Sequence, residues 1–446
     1  MANKQQGSLK REMGLFSSVC VLVGCVIGSG IFTTPGKIAA AAGSFGPNMI
    51  AWVLAGLSGV LCALVYAELS PAMPYAGGPY IFIDEAFGSG ASFCYGWSMI
   101  FGGHIPTIAM MATAFASNFV LLFGLNLSVA GTRLISSGAI IILAVVNYCG
   151  VRQGSRVQNI FTVAKVSVLV AVVIGGLLHL QPENFKTMTT ETVQWGNSIS
   201  AAVPAMTAFG GYYTLSYMSA EIKNPSKTLP LATIIGMGVV ILINILLSVA
   251  CIGSVGFSNL AGSDTPVSLT AQTVFGPVGA ILVTLGAMVS IFGATNGALL
   301  GMPRVPYAMA EKNMMFPFFK KVHPKFNTPY VAIVIYAICA LAFVWTGNFM
   351  TLLMTSTFVS RLCEVAVALS LIVLRRKKPD LDRPFKMWGY PVTTILAAVV
   401  TFVLVCNVAP AQIKNSLILM ATSIPAFFIF RATVGKKAKE QSNAEQ

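Results

Sequence analysis

Apolar stretches the length of one bilayer crossing, about twenty residues, recur through this chain from one end to the other. They lie near residues 14–41, 46–71, 93–123, 132–149, 157–180, 197–220, 229–256, 276–303, 330–346, 349–374, 390–408 and 412–431. In a bilayer only helices and closed barrels satisfy their own backbone groups, and runs this long and continuous are helical. The pattern therefore predicts an all-α polytopic membrane protein with twelve spans. Only 9% of the residues are charged, against about a quarter in a soluble domain. Residues 1–13 are expected as a cytoplasmic N-terminal segment, 14–431 as the membrane body and 432–446 as a cytoplasmic tail, its end KKAKEQSNAEQ disordered. The opening MANKQQGSLKREMG leads into the first stretch without a small-residue cleavage site, so that span is expected to be kept.

The 28 Lys and Arg against 14 Asp and Glu would point to nucleic acid in a soluble chain. Here the preference of basic residues for cytoplasmic loops absorbs the excess. With the N-terminus in the cytoplasm, 22 of the 28 fall on that side. Both termini are thus expected to be cytoplasmic, the membrane to be the plasma (cell inner) membrane, and no nucleic acid to be a partner. All nine cysteines lie in apolar stretches, where they are small core residues rather than disulfides or metal ligands. No metal or cofactor is implied, and the lack of a nucleophile–base pattern argues against an enzyme. The sequence also has no repeated polar filter that would mark a channel.

Two stretches are interrupted, by VIGSGIF at 26–32 and by AFGGYYT at 208–214. A helix within hydrocarbon is broken only where protein or a water-filled cavity receives the freed backbone groups, so each break predicts a site. Lying five spans apart, the two enter the membrane from opposite sides, as a five-plus-five inverted repeat requires. The repeats would cover about 14–180 and 197–374, with the last two spans, about 390–431, appended. At the first break the N–H groups of Ser29, Gly30 and Ile31 would open a second half-helix at its positive end, a place for a carboxylate. The carbonyls of Val26 and Ile27, at the negative end of the first half, suit an ammonium. Together they describe the head group of an α-amino acid. The competing reading is close helix packing by Gly24 and Gly28, yet Gly28 and Gly30 stand about 200° apart on a helix and cannot share one face. At the second break Ala208, Phe209 and Gly210 would supply carbonyls and an aromatic wall. Tyr212 and Tyr213 would shape the side-chain pocket together with Ile291. Alternatively, those glycines simply admit a neighbouring helix.

Lys165 falls about 12 Å into the fifth stretch, near the middle of the hydrocarbon core. A lysine there either snorkels or faces a polar interior. In the interior its ammonium would take the place of a bound cation, or serve as a titrating group. Arg361 and Glu364, three residues apart, can pair on one helix face as a structural ion pair or a gating contact. Glu68 and Glu221 lie near span ends, where structural roles with water and the basic residues of KNPSK are expected. His104 stands alone and reads as a hydrogen-bonding residue rather than a metal ligand. The sequon Asn126-Leu127-Ser128 sits in a loop too short to leave the membrane surface and is discounted. No Asp or Glu is placed at mid-depth beside either break, so a cationic side chain would lack a counter-charge and neutral amino acids are expected.

The segments VIGSGIF (26–32), AGGPYIFIDEAFG (76–88), IFTVAKV (160–166), AFGGYY (208–213), EIKNPSKTLPLA (221–232) and VLRRKKPDLDRPFK (373–386) resemble those of the amino acid-polyamine-organocation superfamily. The resemblance is greatest to its L-amino acid transporter branch. It implies the LeuT-type inverted repeat, with carboxylate contacts at Ser29, Gly30 and Ile31 and ammonium contacts at carbonyls near Ile27 and Phe209. It also implies sodium-independent exchange associated with Lys165. Eukaryotic relatives join a single-span partner through a cysteine between spans 3 and 4, but the corresponding loop here, GLNLSVAG, has none, so no disulfide-linked heavy chain is expected. The function expected is sodium-independent exchange of neutral L-amino acids by alternating access. The rivals are a proton-coupled uniporter or symporter and a sensor that binds amino acids without moving them.

Overall fold

The computed structural model describes residues 9–28, 30–186, 195–263, 265–347, 349–406 and 410–444. Helices account for nearly all of the regular structure: α1 Leu15–Val26, α2 Gly30–Ala42, α3 Phe45–Ala72, α4 Pro79–Phe87, α5 Ser89–Ser98, α6 Ile105–Leu122, α7 Val129–Tyr148, α8 Val151–Leu178, α9 Glu183–Lys186 and α10 Asn197–Thr207. They continue as α11 Thr214–Tyr217, α12 Pro225–Val255, α13 Phe257–Ala261, α14 Pro266–Gly301, α15 Arg304–Glu311, α16 Tyr330–Thr346, α17 Phe349–Lys377, α18 Val392–Cys406, α19 Pro410–Ala421 and α20 Ser423–Ala444. Prolines open α4, α12 and α14, a position where the missing N–H would have had no intrahelical partner.

Among the described residues eight helical runs are long and apolar enough to cross a membrane, and the bent pair α1–α2 brings the count to nine. Three of the twelve expected stretches have no helix of that length and apolarity. Residues 197–220 form the short α10, an irregular stretch and the four-residue α11, while α16 and the apolar part of α18 are shorter apolar helices. The end of the chain departs from expectation. α20 continues to Ala444, where a disordered tail was expected, since each further residue of an established helix adds a hydrogen bond without a new nucleation cost.

The interior is built around α1, which packs against α8, α12, α14 and α11, while α10 lies against α2 and α3. α5 passes into α6 through a π-helical stretch, Met99–His104, of the kind that recurs at functional sites. There Gly102 and Gly103 face Val359 and Ser360 of α17 closely.

Buried ion pairs tie the ends of the bundle. Glu221 and Arg304 have fully buried side chains and meet through bonds of 3.0–3.2 Å. Glu221 was expected to face water and the lysines of KNPSK; its partner is instead an arginine 83 residues away. Glu68 is equally buried and accepts from Arg375 at 2.6 and 2.8 Å and from the Met387 N–H at 2.6 Å. The segment before α1 joins the segment before α12 through a parallel bridge between Met13 and Ile222. There the Glu221 carbonyl accepts from the N–H groups of Glu12 and Met13 at 2.8 and 3.0 Å.

Candidate functional site

The first break separates α1 from α2 by a bend of 48°. Ser29 lies outside the described residues. Gly30 and Ile31 are the first two residues of α2, so their N–H groups belong to the four that no helix can satisfy from within. Proline at 35 and glycine at 36 belong to α2 itself. A Cβ on Gly36 would come within 2.5 Å of the Ser263 carbonyl and 2.9 Å of that of Leu260, which is why α2 and the loop after α13 can touch.

The opposite, negative end of α1 holds a cation. Lys165 is fully buried, and its Nζ donates to the carbonyls of Gly24 at 2.8 Å, Ile27 at 2.6 Å and Ser290 at 3.3 Å. All three ammonium hydrogens are used, which is what a buried charge requires. Snorkelling is therefore excluded. Because α8 starts at Val151, Lys165 stands about 21 Å along it, at mid-helix. Ser290, which the sequence reading did not single out, completes the site from α14. Its hydroxyl donates to Ile27 O at 2.9 Å and Gly28 O at 3.1 Å. Ile27 O thus already accepts two hydrogen bonds, and Val26 O accepts from the Gly28 N–H at 2.9 Å. The carbonyls of Val26 and Ile27, expected for a substrate ammonium, are thus engaged by the protein in this structure.

The glycines divide between packing and space. A Cβ on Gly24 would lie 2.0 Å from Gln158 Nε2 and 2.4 Å from Thr162 Oγ1, so this glycine is needed for contact with α8. A Cβ on Gly28 would meet nothing within 4 Å, and one on Gly30 only Thr34 Oγ1 at 3.5 Å. Packing accounts for Gly24, whereas a side chain begun at Gly28 or Gly30 would point into space.

The second break runs from Ala208 to Tyr213, between α10 and α11. Gly211 holds φ of +102°, and a Cβ there would fall 2.8 Å from the Cys25 carbonyl. Only glycine permits both, so Gly211 brings the second break against the end of α1. Among the described residues no donor reaches the carbonyls of Phe209 or Gly210, which leaves them open as acceptors. Phe209 is buried against Trp52, ring to ring at 6.2 Å. Tyr66 of α3 meets both Tyr212 at 5.6 Å and Tyr213 at 6.4 Å. Ala208 and Ile291 are also buried.

One expectation about charge is corrected here. A carboxylate does stand beside the second break: Tyr212 Oη donates to Glu364 Oε2 at 3.1 Å. The same oxygen accepts from Arg361 Nη1 at 2.9 Å, so the expected ion pair forms and neutralises the acid. The 152 residues between Tyr212 and Glu364 carry no spacing that would have announced the contact. His104 fulfils its expected role, with Tyr217 Oη 3.0 Å from Nε2 and Tyr336 Oη 3.2 Å from Nδ1.

A family model described as amino acid permease matches residues 13–430. The chain is 30% identical over 402 residues to the serine/threonine exchanger SteT of Bacillus subtilis (strain 168), covering 89% of this chain and 91% of that one. It is 30% identical to the b(0,+)-type amino acid transporter 1 of Mus musculus, covering 88% and 82%. It is likewise 30% identical to the large neutral amino acids transporter small subunit 2 of Homo sapiens, covering 95% and 81%. These relatives are transporters rather than enzymes.

Proposed function

The chain belongs to the amino acid permease family, and from that premise we propose that it exchanges neutral L-amino acids across the plasma (cell inner) membrane, independently of sodium, by alternating access. The observation that carries this is the seat of Lys165. An ammonium bound to the carbonyls of Gly24, Ile27 and Ser290 supplies, as a fixed part of the protein, the positive charge that a coupling cation would bring to a helix C-terminus. The fold reading is the twelve-span, five-plus-five inverted repeat with both termini cytoplasmic. The two breaks, one α1–α2 and one α10–α11, support it.

The substrate carboxylate is assigned to the N–H groups of Ser29, Gly30 and Ile31 at the start of α2, where the space around Gly28 and Gly30 lies. The ammonium is assigned to the backbone at the two breaks, Val26, Ile27, Ala208, Phe209 and Gly210. Of these, Phe209 and Gly210 have the open carbonyls, and Ile27 would contribute only as Lys165 or Ser290 yields. Tyr212 and Tyr213 line the side-chain pocket. Neutral substrates are favoured because Glu364 is already neutralised by Arg361. The loop between α6 and α7 has no cysteine, which supports function without a disulfide-linked heavy chain.

Proteoliposomes test this with labelled neutral amino acid outside. Uptake is expected only when unlabelled amino acid is inside, with the same rate in sodium-free buffer. Uptake driven by a pH gradient into empty vesicles would establish the proton-coupled alternative, and binding without flux the sensor.

A further inference from the structure

Halfway along α17 an ion pair stands one tyrosine away from the second break. Arg361 is about 18 Å from the start of its helix, and its contact with Glu364, itself bound by Tyr212, puts it level with that break. Arg361 and Glu364 side chains are only 12% and 6% exposed. Among the described residues the guanidinium donates from Nη1 alone, leaving Nε and Nη2 as uncommitted donors. Behind the pair, Glu364 Oε1 receives no hydrogen bond from a described residue. It borders a cavity of about 10 Å³ lined by Cys62, Tyr66, Tyr212 and Thr401 among others, room for about one water.

We propose that Arg361, anchored by Glu364, reads the far end of the substrate's side chain and selects an uncharged side chain bearing a hydroxyl or amide over its aliphatic isostere. This rests on the amino acid exchange argued above and narrows its substrate class. The chemistry is one of elimination by charge and by hydrogen bonding. A substrate carboxylate competes with Glu364 for the guanidinium and leaves a buried acid unpaired. A substrate ammonium finds no free acid to pair with, because Glu364 is already held by Arg361. An aliphatic side chain strips water from Nε and Nη2 without replacing its hydrogen bonds, whereas a hydroxyl or amide oxygen accepts from them. Arg361 is the contact, and Glu364 is a positioning residue that holds the guanidinium and cancels its charge.

The test is exchange of labelled threonine and labelled valine, near-isosteres, by the reconstituted full chain. Threonine is expected to exceed valine by at least about tenfold in kcat/KM, since a site built to bond a hydroxyl rejects the analogue lacking it. Glu364→Gln keeps the shape but frees the cation, so inhibition by glutamate should strengthen at least about tenfold. A merely structural Glu364 would not produce that gain. If Glu364→Gln does not fold, the double variant Arg361→Met/Glu364→Met, which removes both charges together and so avoids an unpaired one, should bring threonine and valine within about twofold. Equal use of threonine and valine by the unmodified protein overturns the proposal. So does a folded Glu364→Gln with unchanged glutamate inhibition, or a double variant that keeps the full preference. If neither amino acid exchanges, the exchange reading falls, and ligand-induced thermal stabilisation by threonine against valine decides the selectivity by itself.

Discussion

Replacing Lys165 with alanine isolates the charge at the first break. The substitution removes three hydrogen bonds, of which those to Ile27 at 2.6 Å and Gly24 at 2.8 Å are short. Ser290 Oγ still donates to the Ile27 carbonyl, whereas the Gly24 carbonyl loses the ammonium altogether. Hydrogen bonds to charged groups contribute about 1.5–3 kcal/mol each, so the two short ones amount to about 3–6 kcal/mol. At about 1.4 kcal/mol per factor of ten, the arrangement of α1, α8 and α14 seen here should lose on the order of 10²–10⁴ in population. Membrane insertion should not suffer, because an embedded lysine costs at least about 2.5 kcal/mol that alanine does not. The expected result is near-normal protein in the membrane and exchange reduced at least about a hundredfold. The measurement is counterflow of labelled amino acid in proteoliposomes, normalised to reconstituted protein. Flux within threefold of the unmodified protein (roughly 0.7 kcal/mol) would refute the reasoning and leave Lys165 a structural residue.

Gly30→Val introduces a side chain where only Thr34 Oγ1 lies nearby. The fold should survive while binding of all amino acids fails, whatever their side chain; loss confined to large substrates in a ligand-induced thermal-shift panel would remove the head group from this break. Gly24→Ala should act oppositely, lowering stability by about 1–3 kcal/mol through overpacking against Gln158 and Thr162, as read from the unfolding temperature without ligand. Glu221→Ala strands Arg304 inside the bundle, and an uncompensated buried charge costs about 3–5 kcal/mol. A large loss of thermal stability is expected, and an unchanged melting temperature would show that water reaches the pair.

The positions of the two breaks were legible in residues 26–32 and 208–213, because glycine-rich interruptions of apolar stretches are local patterns and hydrocarbon tolerates them only for a reason. The same local pattern misjudged the glycines individually. Gly24 and Gly28 look equivalent as a spaced pair, yet Gly24 faces two side chains of α8 and Gly28 faces open space. Glu221 was legible as a residue at a helix end, but not as the buried partner of Arg304.

By itself the sequence determined that the chain is helical and membrane-embedded, since only long helices satisfy the backbone of its apolar stretches, and where two of those stretches must break. The tertiary structure alone decided what meets at the breaks. Lys165 is 125 to 141 residues from its partners on α14 and α1, Ser290 is 263 from Ile27, and Tyr212 and Glu364 are 152 apart. Helical periodicity says which residues share a face of one helix. It says nothing about which face of which distant helix will be turned towards it, because that is settled by packing the whole bundle at once.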